Sequence, residues 1–499
     1  MKRTFNLFLM AASVLTAVTL SYACSKDDSN TDESDEQIIF NDNQIGSGVQ
    51  EFEIKEDHTI RKGTYFLKGW VYITSGATLT IEPGTIIKGD KDTKAAIIVE
   101  RGGKLIAQGS ASQPIIFTSA QAAGSRKPGD WGGIIMCGKA VNNKTEMIIE
   151  GGPRSMHGGS DNNDNSGVLS YVRVEFAGYP FATDQEINGV TMGSVGSGTK
   201  FDHVQVSFSN DDSFEFFGGC VNGKYLVAYN GWDDDFDTDN GFTGKLQFGL
   251  GIRNPRIADV SRSHGFESDN EANGTTLAPL TKPIFSNFTL IGPIGQDAAF
   301  TNTSAYITGG NYYPNNGSKL GNFQSAMLIR RSSNLNCYNS VATGYPVGIM
   351  LCNDKGSQTQ SYATSGSLNI KRVYIAGMTL TGSDKDNSFL DQYSADATTL
   401  NPAQESFSST YFKTGLNGNA IYASISALGL SQPNPLVASP NYGPNDSSVL
   451  KGKTGLFTES VLTDSFFDKV DFIGAFRSTS STDNWMLGWT NFDPQNTAY

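Results

Sequence analysis

Three segments of this chain carry acidic residues in a common register. Asp211-Asp212-Ser213-Phe214-Glu215-Phe216-Phe217-Gly218-Gly219 aligns with Asp233-Asp234-Asp235-Phe236-Asp237-Thr238-Asp239-Asn240-Gly241 at a shift of 22 residues, and Ser263-His264-Gly265-Phe266-Glu267-Ser268-Asp269-Asn270 follows at a further shift of 30. A period near 22 is one turn of a β-solenoid, which stacks residues distant in sequence one strand apart. If Phe214, Phe236 and Phe266 point into the coil, strand alternation turns Glu215, Asp237 and Glu267 outward, with Asp239 and Asp269 on the same outer face. Two carboxylates on adjacent parallel strands, ~4.8 Å apart, repel by roughly 3–4 kcal/mol at an effective dielectric near 20. A cation with oxygen ligands would relieve that repulsion, Ca²⁺ being the best match for an all-carboxylate set. So would a carboxyl held protonated by its neighbour, as in catalytic carboxylate pairs. A third reading needs no site at all: the acids sit on solvated turns and splay apart.

Where each strand begins, Asp212, Asp234 and His264 form a second column. Two carboxyls and an imidazole at one-coil intervals are what general acid–base cleavage of a polysaccharide requires. These three are the candidate catalytic residues, and Glu215, Asp237, Asp239, Glu267 and Asp269 the candidate metal ligands.

The elements that must position these residues are short. Of 499 residues, 38% are hydrophobic and 55 are glycine, a balance leaner in core formers and richer in turn formers than that of a helical protein. Across 69–89 apolar residues alternate between Gly or Pro-Gly corners, and 95–107 and 114–119 repeat the pattern. Strands of this length joined by glycine corners stack as parallel coils rather than pairing as hairpins. The expected fold is therefore all-β, a right-handed parallel β-helix over 49–380. A propeller or sandwich would show longer alternating strands with two-residue turns. Interruptions at 123–130, 142–166, 272–282 and 306–323 read as loops inserted at the turns, where a solenoid builds its binding faces. Residues 151–166, with Arg154, His157, Asp161 and Asp164 among glycines and asparagines, read either as an overhang above the acidic ladder or as a disordered loop. Beyond about 381 the coil pattern weakens, and 381–499 is expected to supply the last coils and a cap against exposed strand edges. An alternative for Trp485, Trp489 and Phe492 is an aromatic patch that stacks on glycan.

The beginning of the chain reads as an address. Met1-Lys2-Arg3 and the apolar run that follows form an n-region and h-region closed by Ser21-Tyr22-Ala23-Cys24. Residues 1–23 thus resemble a bacterial lipoprotein signal with Cys24 as the lipidated residue, although Ser21 stands where leucine is usual. An ordinary cleaved signal or a membrane anchor is the alternative. Ser25-Lys26-Asp27-Asp28 resembles the surface-export signal of Bacteroidetes lipoproteins, and 24–48, acidic and poor in apolar residues, reads as a flexible tether. The expected location is the outer membrane, held by lipid and facing outward. The formal charge of −13 repels nucleic acid and anionic lipid, so neither is an expected partner. Cys137, Cys220, Cys337 and Cys352 lack the spacing of a zinc or redox site and are expected as free core cysteines.

The opening coils, the Asp-Asp-x-Phe-acid repeats and the closing Asn484-Trp485…Gly488-Trp489-Thr490 resemble Bacteroidetes surface lipoproteins of the pectate-lyase-like right-handed β-helix type. That superfamily includes polysaccharide lyases and hydrolases acting on uronic-acid polymers, often with Ca²⁺. Asn210-Asp211-Asp212, Asp233-Asp234 and Ser263-His264-Gly265 follow the order of the polygalacturonase motifs. The resemblance implies Asp212 and Asp234 as acid and base, with His264 positioning them. Ser263 departs from the motif's glycine, and no Arg-x-Lys substrate clamp follows His264; Lys282 and Arg330-Arg331 are its nearest substitutes. The expected function is a surface scaffold that binds glycan or a surface-layer component without cleaving it, stabilised by Ca²⁺. The alternative is a polysaccharide lyase or glycoside hydrolase.

Overall fold

The computed structural model describes residues 43–48, 51–182, 185–356, 358–431 and 440–499. The signal segment, Cys24 and all but the end of the tether lie outside the described residues.

Two long parallel sheets make up the body of the molecule, one of 17 strands and one of 11. Among the described residues antiparallel pairing between strands is confined to two small ribbons, Met147–Ile148 with Met156–His157 and Pro180–Ala182 with Gln185–Glu186. Each rung pairs with the next in one direction, so the chain coils as a right-handed parallel β-helix. The apolar alternation explains the winding: in the 11-stranded sheet Val71, Ile97, Ile134, Val190, Phe214, Phe236, Phe266, Met327 and Ile349 stack in register along the interior. All of them are buried in one continuous core. The ring stack is close, with Phe214 and Phe236 centroids 5.2 Å apart and nearly parallel.

In the larger sheet one run of residues serves two faces of the coil. Lys200–Ser207, Asn222–Tyr229, Lys245–Ile252 and Ile284–Ile291 each bend at a left-handed residue, His203, Tyr225, Phe248 and Asn287 (φ 51–61°). The cost of that backbone conformation at non-glycine residues is offset by stacking: His203 lies between Tyr171 and Tyr225, with centroids 4.2 and 4.5 Å away.

The end of the chain runs back along this sheet. Asn287 donates to the Phe472 carbonyl (3.0 Å), Gln247 to that of Asp468 (2.8 Å), Gln205 to that of Asn491 (2.8 Å), and Lys88 to that of Tyr499 (2.7 Å). Residues 440–499 therefore lie lengthwise over many coils. Trp489 and Phe492 are buried against the strands and Trp485 stacks on Phe476, so these rings pack the protein to itself and offer no open stacking surface. Cys137, Cys337 and Cys352 are buried and Cys220 is half-buried. No helix among the described residues is long and apolar enough to cross a membrane.

Candidate functional site

Across the 11-stranded sheet one outward column reads Tyr72, Ile98, Ile135, Thr191, Glu215, Asp237, Glu267, Leu328, Met350, each directly opposite the next. The acidic ladder is thus in perfect vertical register, as the 22- and 30-residue shifts require. It forms the floor of a cavity of about 750 Å³, walled by Pro180, Phe181 and Glu186 on one side and by 259–261 and 316–319 on others. The predicted overhang lies elsewhere: Arg154 reaches Glu51, Glu53 and Glu100, and His157 is buried with Nδ1 2.9 Å from Ser194 Oγ. That insertion roofs the apolar rungs, and only Glu150 at its edge lines the acidic cavity.

Within the cavity the acids divide into two groups. At one end Arg330 pairs with Glu267, Asp269 (3.1 Å) and Asp386 (2.8 Å), and Arg331 with Asp269 (2.7 Å) and Asp354 (3.4 Å). At the other, Asp211, Asp212, Glu215, Asp233, Asp234 and Asp237 form no ion pair among the described residues. Two triads there, Asp211/Asp212/Asp233 and Asp212/Glu215/Asp237, each hold one ligand oxygen per residue within 4.8 Å of the others, and they share Asp212. Burial, and then the mutual repulsion of neighbours, pushes all six carboxyls well above their ordinary range. Asp239 and Glu267 are pushed up to about 8, in each case first by burial, although Arg330 pulls Glu267 back down.

The column of Asp212, Asp234 and His264 has a structural duty. Asn188 Oδ1 accepts from the Asp212 N–H (3.2 Å), Asp212 Oδ1 from the Asp234 N–H (2.8 Å), Asp234 Oδ1 from the His264 N–H (2.5 Å), and His264 Nδ1 from the Ser325 N–H (3.2 Å). Each side chain secures the backbone one rung further on, a ladder of buried bonds at the start of the strands. The bond into His264 Nδ1 fixes its proton on Nε2, and burial together with Arg330 keeps the ring neutral. Nε2 lies 3.9 Å from Glu267.

Beneath the floor, Arg253 and Asp235 form a fully buried pair (2.8 Å). Arg253 also donates to the Trp232 carbonyl (3.3 Å), tying the start of one rung to the strand behind it.

Of the residues chosen from sequence, Glu215, Asp237 and Asp212 converge with one another. Glu267 and Asp269 are held by guanidinium groups, and Asp239 accepts from the Asn240 N–H outside the cavity lining. Asp211 and Asp233 belong to the cluster and were not singled out, although the period of 22 relates them to one another just as it relates Asp212 to Asp234. Lys282 points elsewhere, to Ser367 (3.1 Å); Arg330, Arg331 and the loop residue Lys319 are the basic residues that line the cavity.

The donor set suits a hard divalent cation: it is all carboxylate, its acids form no ion pair among the described residues, and it includes a buried Asp233 oxygen without a hydrogen-bond partner.

Comparison with known proteins bears on the fold. A search of curated protein sequences finds no match. The crystal structure of the pectate lyase Pel9A aligns over 81% of this chain and 89% of that one, at 14% identity and a TM-score of 0.33. The family model for the pectate-lyase-like β-helix domain matches residues 52–416, and the chain belongs to that family.

Proposed function

We propose that this protein is a lipid-anchored scaffold of the outer-membrane surface that binds a divalent cation, Ca²⁺, in the unpaired half of its acidic groove. Through that cation it binds a carboxylate-bearing glycan or surface-layer component without cleaving it. The observation that carries this reading is the pair of carboxylate triads sharing Asp212, whose acids form no ion pair among the described residues. Asp211, Asp212, Asp233, Glu215 and Asp237 would hold the ion. When bound, it supplies positive charge that offsets their repulsion and attracts anionic ligand oxygens to an otherwise repelling surface.

Absence of cleavage is supported by what the candidate acid, base and clamp residues are doing. Asp212 and Asp234 hold backbone, His264 is held neutral with Nδ1 occupied, and Arg330 and Arg331 are engaged by carboxylates. The fold class serves both binding and cleavage, so the argument rests on these residues. The lipid anchor rests on the sequence around Cys24.

A second reading is favoured by one residue. Lys319 is exposed, lines the cavity and makes no ion pair among the described residues, so in a polysaccharide lyase it would take the proton from the carbon next to a cation-bound carboxylate.

Melting in EDTA against Ca²⁺, with product release measured in parallel, tests both readings. Ca²⁺ should raise the melting temperature by several degrees, as expected for a ligand well above its dissociation constant, where stabilisation reaches ~3 kcal/mol at a hundredfold excess. Asp211→Asn/Asp233→Asn should abolish that rise. Unsaturated products from polygalacturonate, lost in Lys319→Ala, would replace the first reading with the second.

A further inference from the structure

Above the acidic floor stands an aromatic ring that cation binding does not use. Phe181 is 40% exposed, whereas the other aromatic residues on this outer face, Trp70, Tyr72 and Phe217, are buried. Its place is built. The ring rests on the Trp70 indole, with centroids 5.6 Å apart and planes tilted by 49°. Trp70 is itself fixed by donation from Nε1 to the Lys94 carbonyl (2.9 Å). Phe181 also packs against Gly152, where an added Cβ would lie 2.8 Å from Cδ1 and Cε1. Gly152 also has φ +91°, so both the backbone and the approach of the ring require glycine there. Val260, 52% exposed, lies on another wall of the same cavity. The cavity therefore offers carboxylates on its floor and apolar surface on its walls.

We propose that Phe181 is a specificity-determining platform on which the apolar face of a sugar ring stacks, so that the groove prefers carboxylated sugars to other polyanions. The inference rests on the cation-dependent glycan reading above. A pyranuronate matches both surfaces: its carboxylate reaches the cation on the floor, and its C–H face lies on the ring. A flexible acidic polypeptide offers carboxylates but no rigid apolar face. Aromatic contact of this kind changes affinity by about five- to tenfold.

Calorimetric titration of the full folded chain in Ca²⁺, with oligogalacturonate and with poly-L-glutamate, separates these contributions. Phe181→Ala should weaken oligogalacturonate binding about five- to tenfold, leave poly-L-glutamate binding unchanged, and leave the Ca²⁺-induced rise in melting temperature intact. Phe181→Trp should retain oligogalacturonate binding. Equal losses for both polymers, or no loss for oligogalacturonate, would overturn the platform while leaving the cation site standing. If the unaltered protein binds no oligogalacturonate but keeps its Ca²⁺-induced stabilisation, the platform and the glycan part of the proposed function fall together. Loss of the Ca²⁺ response in the unaltered protein would defeat the underlying cation reading itself.

Discussion

The outward column of the 11-stranded sheet contains two stretches that differ in everything except backbone. Tyr72, Ile98 and Ile135 are apolar and roofed by the insertion that carries Ile149. Glu215, Asp237 and Glu267 occupy the same column a few rungs on, under an open groove. Further along, Leu328 and Met350 return the column to apolar packing beneath a loop that includes Ala397. In a solenoid, then, an outward-pointing residue is not by definition a surface residue; what lies above each rung decides. The acids are bracketed by two covered patches, which bury Asp212, Glu215 and Asp234 and leave Asp211, Asp233 and Asp237 half-buried, and this partial loss of water makes their charge costly.

The largest expected consequence separates the two stretches by pH. Acids whose folded pKa is raised hold their protons more tightly when folded. Their stabilising contribution is complete below the ordinary values of 3.8 and 4.5 and is lost as pH rises through the folded value, about 8 for Asp239 and Glu267. In EDTA the protein should lose stability steadily from about pH 4 to pH 8, by several kcal/mol when the unpaired acids add together. Ca²⁺ should flatten the upper part of that profile. Thermal melting across this range measures the effect, and a flat profile in EDTA would mean that the acids are well solvated after all.

Of comparable size is the introduction of acid into the roofed stretch. Ile135→Asp removes a buried side chain and places a carboxyl where no cation or open groove relieves it. The expected cost is about 5 kcal/mol or more, enough to prevent folding at ordinary temperature. Arg330→Ala makes the opposite change, leaving Glu267, Asp269 and Asp386 without their shared partner. It should destabilise by about 3 kcal/mol in EDTA. Because it lengthens the unpaired stretch by one rung, it should also enlarge the rise in melting temperature that Ca²⁺ produces. If that rise stays unchanged, the cation site ends at Asp237.

The repeats made the coil and the ladder legible, because a period of 22 and a period-2 alternation together specify which side chains are vertical neighbours. The resemblance to the polygalacturonase motifs brought Arg330-Arg331 into view as well, as a substitute for a substrate clamp. What the repeats could not show is which acids meet a guanidinium, since Arg330 reaches the ladder from a rung some sixty residues on, across the 272–282 and 306–323 insertions. Nor could they show the ladder of backbone bonds through Asp212, Asp234 and His264: an aspartate that secures the next rung has the same spacing as one that performs catalysis. The walls of the groove were illegible for a related reason. Phe181 lies in a stretch without coil periodicity, and only its contacts with Trp70 and Gly152 mark it out.

The smallest expected effect lies at the boundary between the two stretches. Thr191 stands between Ile135 and Glu215 in the column, is almost fully buried, and its hydroxyl has no hydrogen-bond partner. If the apolar stretch extends to this rung, Thr191→Val exchanges an unmet buried hydroxyl for a methyl and should stabilise by about 1 kcal/mol or less, a rise of roughly 1–2 °C in melting temperature. If the rung belongs to the acidic stretch, the hydroxyl is an oxygen donor to whatever occupies the groove. The same substitution would then lower the melting temperature in Ca²⁺ while leaving it unchanged or raised in EDTA. The sign of that difference fixes where the site begins, because Thr and Val differ here only in a group that one stretch rejects and the other can use.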